Sequence, residues 1–153
     1  MSVTDAIQRP FDRPSPRWLP IVLWLLAVPN LVIGLWAHLA PEHWFETFPG
    51  WSPYLVAAYP PFNEHLASDA GAGLLTIGVL AAAAAVIRRR DAVLVAGAGV
   101  LAFTGPHALF HVLNPSDLLS ASEDAMNTAP LVLTAVGGLA VLWAGVVMSR
   151  DQP

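Results

Sequence analysis

Apolar residues in this chain gather into four long runs, separated by connections that are polar or broken by proline. A helix needs roughly 20 mostly apolar residues to cross about 30 Å of hydrocarbon. Residues 18–39, 64–87, 92–113 and 127–148 each reach that length. Inside hydrocarbon every backbone N–H and C=O needs an internal partner, so a chain this short can span only as helices. The pattern therefore predicts an all-α fold, an integral membrane four-helix bundle over residues 18–148. Pro29 and Pro106 fall within the first and third spans and are expected to kink them. Only residues 88–91 separate the second span from the third, which predicts a tight antiparallel hairpin.

The two other connections differ from each other. Residues 40–62 hold seven aromatics, Trp44, Phe45, Phe48, Trp51, Tyr54, Tyr59 and Phe62, together with five prolines. Such a segment is too aromatic to float in water and too broken to span. It is expected to lie along the outer interface as an aromatic belt, with a short helix over residues 42–48. A lid over a site is the functional alternative. The connection 114–124 is short, polar and acidic. Residues 1–17 and 149–153 are expected to be disordered tails.

Composition agrees with a lipid solvent: 56% of the 153 residues are hydrophobic and 12% charged, where a soluble domain carries about a quarter charged. That length holds one compact unit. Cysteine is absent, which removes disulfides, iron–sulfur clusters and thiolate metal sites. All seven basic residues are arginines: Arg9, Arg13 and Arg17 before the first span, Arg88, Arg89 and Arg90 between the second and third, and Arg150 after the fourth. By the positive-inside rule that side is cytoplasmic, so both the N-terminus and the C-terminus are expected there. A net charge of −4 argues against nucleic acid as a partner. A cleaved signal peptide is not expected, because the first apolar segment exceeds the usual 7–15 residues and no A-x-A site follows it.

Against this one-sided arginine pattern, all five histidines fall toward the outer ends of the spans: His38, His43, His65, His107 and His111. Ionisable residues within spans are costly and count as site candidates. His65 and Asp69 are four apart on the second helix, and His107 and His111 four apart on the third, so each pair shares a helical face. At 1.5 Å per residue the inner member of each pair lies about 6 Å deeper than the outer. Two rungs are therefore expected, His65 beside His111 and Asp69 beside His107, with His38 joining the upper one. His43 is expected to be interfacial. Asn30, Thr76, Thr104, Asn127 and Thr134 extend polar stripes inward, which implies a cup open to the outside. The set His65, Asp69, His107 and His111 suits a divalent metal. Histidines on two helices, drawn from His38, His65, His107 and His111, suit haem, and an aspartate beside a histidine suits a proton relay or a quinone headgroup. The same groups can instead satisfy one another as a structural cap that fixes helix register.

Glycines on the last three spans, among them Gly71, Gly78, Gly97, Gly138 and Gly145, permit close helix approach, either within one chain or in a homo-oligomer. No phosphate-binding glycine loop, nucleophile elbow or zinc-protease motif is present. No inverted repeat or polar path favours a transporter.

The run P-N-L-V-I-G-L-W-A-H-L-A-P-E-H-W-F-E-T-F-P-G, followed by P-P-F-N-E-H-L-A-S-D-A-G-A-G, resembles a group of small four-helix bacterial membrane proteins, broadly similar to the DoxX-like families. The resemblance covers about residues 20–145 and implies a multi-pass protein of the bacterial cytoplasmic (inner) membrane. Some DoxX relatives are linked to thiosulfate oxidation with quinone as acceptor, which implies a redox role. No residue here carries that chemistry over one for one. Two functions are expected as alternatives. One is a small membrane protein whose outward His/Asp pocket binds a metal or a redox cofactor. The other is a non-catalytic accessory subunit of a larger membrane complex, with a structural polar layer.

Overall fold

The computed structural model describes residues 15–148. Of the expected tails 1–17 and 149–153, residues 1–14 and 149–153, with Arg9, Arg13 and Arg150, lie outside the described residues. Five helices follow in order: α1 (Leu19–Leu39), α2 (Pro41–Thr47), α3 (Glu64–Ile87), α4 (Arg90–Leu113) and α5 (Ala121–Val147). All but α2 are long and apolar enough to cross a membrane. The shortest of these four, α1, has 21 residues, about 32 Å at 1.5 Å per residue and so sufficient for the hydrocarbon layer.

Local chemistry sets the helix ends. The Asn63 side chain accepts from the Leu66 N–H at 3.0 Å and so starts α3. That helix ends where Arg88 takes a left-handed conformation, φ 56°, with its N–H returned to the Ala84 carbonyl. The chain then re-enters a helix two residues later, which makes the α3–α4 hairpin as tight as the spacing requires. The start of α5 departs from expectation. A capping box opens it, with Glu123 Oε2 accepting from the Ser120 N–H at 2.8 Å and Ser120 Oγ facing the Glu123 N–H. The polar stretch before Asn127 is thereby helical, and α5 begins at Ala121. Hydropathy alone sees only where the apolar run begins.

Helices α1, α4 and α5 continue through Pro29, Pro106 and Pro130. Two intimate antiparallel pairs, α1 with α3 and α4 with α5, make up the bundle, and α3–α4 and α1–α5 close the ring. Glycine sets both pairings. A Cβ on Gly71 would lie 2.5 Å from the His38 nitrogen, and one on Gly34 would lie 2.6 Å from the Leu75 nitrogen. In the second pair a Cβ on Gly97 would strike the Leu142 backbone, and one on Gly138 would come within 2.8 Å of Val100 Cγ1. These glycines are therefore used within the chain. The core between the pairs is small-residue rich: Ala27, Ala81, Ala84, Ala96 and Ala144 are fully buried beside Leu23, Val93 and Val141. Large apolar side chains such as Leu25, Leu133 and Trp143 point outward, as a lipid-facing surface requires.

Candidate functional site

The expected two rungs do not form. His65 Nε2 and Asp69 Oδ2 meet each other at 3.4 Å, with side chains 83% and 64% exposed. The reason lies in α3 itself. Its inward face is fixed by Ala67 and Gly71, both buried, with Gly71 packed against α1. His65 and Asp69 each stand two residues from Ala67, about 200° around the helix. His38 does reach α3, but its partner is Ser68, with Oγ at 3.0 Å from Nδ1. His43 stays at the surface and accepts from Trp36 Nε1 at 2.9 Å. Of the histidines, only His107 and His111 meet, stacked with ring centroids 5.0 Å apart. The quartet His65, Asp69, His107 and His111 is thus not assembled, with or without His38. Among the described residues no three His, Asp or Glu side chains are grouped to hold a metal. An exposed ion pair contributes little, so His65→Ala and Asp69→Ala should each change unfolding stability in detergent by less than about 0.5 kcal/mol.

The outward cup is corrected as well. Asn30 donates to the Leu26 carbonyl at 2.7 Å, Thr76 to Ala72 at 2.8 Å, Thr104 to Val100 at 2.8 Å and Thr134 to Pro130 at 2.7 Å. Each polar group is answered by its own helix, one turn back. Thr76 is moreover exposed on α3, whereas Asn30 and Thr104 are buried.

A different polar cluster occupies the end of the bundle where α4 finishes and α5 begins. The 40–62 connection folds back over that end, burying Leu55 and Ala58. Ser116, just past α4, donates its hydroxyl to the Ala58 carbonyl at 2.6 Å. The next residue, Tyr59, places its hydroxyl 3.1 Å from His111 Nδ1. The same hydroxyl lies 3.4 Å from Asp124 Oδ1 and 3.4 Å from Asn127 Nδ2. Asn127 Nδ2 is 3.2 Å from His111 Nδ1. One assignment satisfies all four groups: Asn127 donates to His111 Nδ1 and to the Tyr59 oxygen, and Tyr59 donates to Asp124. Burial first, and the Asp124 carboxylate second, push the Tyr59 phenol above its ordinary value, so it remains a donor throughout the physiological range. Tyr59 also meets the His111 ring edge-on at 4.9 Å, and Phe103 meets His107 at 5.9 Å.

This cluster joins the loop, α4 and α5, whereas the expected site joined α3 and α4. Tyr59, Ser116 and Asp124 were not among the expected residues. A signal for Asp124 was present: Ser120-x-x-Glu123 is a capping box, and it puts Asp124 and Asn127 three apart on one helical face. Tyr59 carried no such signal, because its position depends on how the loop folds back.

Comparison with protein-family models, with curated proteins and with solved structures finds no match.

Proposed function

We propose that this chain is a non-catalytic accessory subunit of a larger complex in the bacterial inner membrane, with both termini cytoplasmic. In this reading the polar outer layer is a clamp. The observation that carries it is the Tyr59 hydroxyl, which stands within 3.4 Å of His111, Asp124 and Asn127 at once. Groups that spend their hydrogen bonds on one another fix a surface and leave few for a substrate. The surface so fixed keeps Trp51 63% and Tyr54 47% exposed, and aromatic residues are enriched where membrane proteins meet partners or the lipid interface. Orientation rests on Arg17, Arg88, Arg89 and Arg90 at the opposite end, and the bacterial membrane on the DoxX-like resemblance.

One observation favours the other reading, a metal or a redox cofactor such as haem or quinone. His107 makes no hydrogen bond among the described residues and stacks on His111, so two candidate ligands do meet. Protein purified from its native membrane separates the two. The accessory reading expects no Soret band and no stoichiometric metal, and expects native-gel migration above the single-chain mass that Trp51→Ser with Tyr54→Ser lowers. A Soret band, or bound metal lost in His107→Ala, would replace it with the cofactor reading.

A further inference from the structure

At the end opposite the clamp, α1 begins and α3 ends around a cavity of about 280 Å³. Arg17 and Arg88 stand at its rim with Ser15, while Leu23, Ala84 and Ala85 form its floor. Arg88 uses Nε on the Ala85 carbonyl at 3.3 Å, where its charge also answers the C-terminal dipole of α3. That leaves its two terminal nitrogens for another acceptor. Among the described residues neither arginine has a carboxylate partner, whereas the neighbouring Arg89 is paired with Asp91 at 3.1 Å. With no acid among the described residues that line the cavity, its two guanidinium groups repel each other, and an anion between them removes that cost. Both arginines flank the ends of spans, which is the depth of lipid phosphates.

We propose that this cavity binds the phosphate headgroup of an anionic glycerophospholipid. Arg17 and Arg88 hold the phosphodiester by charge-assisted hydrogen bonds, as the planar donor fork of arginine favours. Ser15 supplies a hydroxyl to the glycerol, and the apolar floor meets the first methylenes of the acyl chains. A soluble anion would use the arginines alone and leave that floor wet. The occupant is therefore a lipid. The assignment does not depend on whether the chain serves as an accessory subunit.

The test uses the full chain in nanodiscs of phosphatidylcholine doped with phosphatidylglycerol, with retained lipid counted by native mass spectrometry. The wild type should retain phosphatidylglycerol with about tenfold preference over phosphatidylcholine. Arg17→Gln with Arg88→Gln should remove that preference, while Arg89→Gln and the charge-keeping Arg17→Lys with Arg88→Lys should leave most of it. Unchanged melting in pure phosphatidylcholine discs would certify that the glutamine variant folds; if it does not fold, Arg88→Gln alone should still lower the preference. The proposal is overturned if the folded glutamine variants keep the preference. It is equally overturned if inorganic phosphate, offered without lipid, binds the wild type and abolishes its lipid selectivity.

Discussion

Gly71→Ala and Gly97→Ala should each destabilise the bundle by about 3 kcal/mol, the upper end of what overpacking ordinarily costs. The added methyl at either position meets main chain: the His38 nitrogen and the Ala37 carbonyl carbon for Gly71, the Leu142 nitrogen and Cα for Gly97. A flexible side chain could turn aside, but here two helix axes must separate along their length. In lipid, van der Waals packing between helices is a main source of association, so the loss is not recovered elsewhere. The glycine at 105 provides the control. Its nearest foreign atom is Leu101 Cδ1 at 3.7 Å, an ordinary contact. Gly105→Ala should therefore cost much less than either, staying within about 1 kcal/mol of neutral, because the lower conformational entropy of alanine is set against the contact of its Cβ with the following Pro106 ring. Reversible unfolding in mixed detergent micelles reads the contrast in one series. Equal losses at all three positions would show that the seams are not where the helices meet.

His111→Ala should cost about 2 kcal/mol, chiefly by removing the acceptor that the Asn127 amide meets at His111 Nδ1. Its ring also packs edge-on against Tyr59 and Phe110, at 4.9 and 5.5 Å, and that contact is lost with it. The effect should far exceed that of His65→Ala, although both residues are histidines near the same end of the bundle. Position on the helix face decides between them. Water reaching this end of the bundle tempers the cost, because Tyr59 and His111 are only partly buried. A silent His111→Ala would leave the clamp without energetic content.

The helices were legible in the sequence and the site was not, for separable reasons. A spanning segment announces itself by length and apolarity, and the tight α3–α4 turn by the few residues between two such runs. Which face of α3 turns inward is a different question, and histidine spacing cannot answer it. Depth along the bundle placed His65 level with His111, but rotation is set by Gly34, Gly71 and Gly78, where the backbones of α1 and α3 come closest. Small residues decide rotation in a membrane bundle because the polar and apolar faces of a helix no longer separate inside from outside. Read that way, Ala67 and Gly71 mark the buried face, and His65 and Asp69 fall on the opposite one. Asn30, Thr76, Thr104 and Thr134 mark no common polar stripe, because a short polar side chain in a helix can bond the carbonyl four residues back. Asp124 was hidden by an assumption that α5 starts where apolarity starts, although the capping box was written in the sequence. Tyr59 is legible only once the loop is folded.

The clamp is tested most directly by a double-mutant cycle between Tyr59→Phe and His111→Ala, followed by equilibrium unfolding of the four proteins in detergent. Coupled groups should give a double variant that loses less than the two singles together, by about 1 kcal/mol. Losses that add to within roughly 0.3–0.5 kcal/mol would mean that the two side chains do not act as a unit. The polar layer would then be a set of independent residues, and the account of this bundle as a clamped accessory subunit would be contradicted.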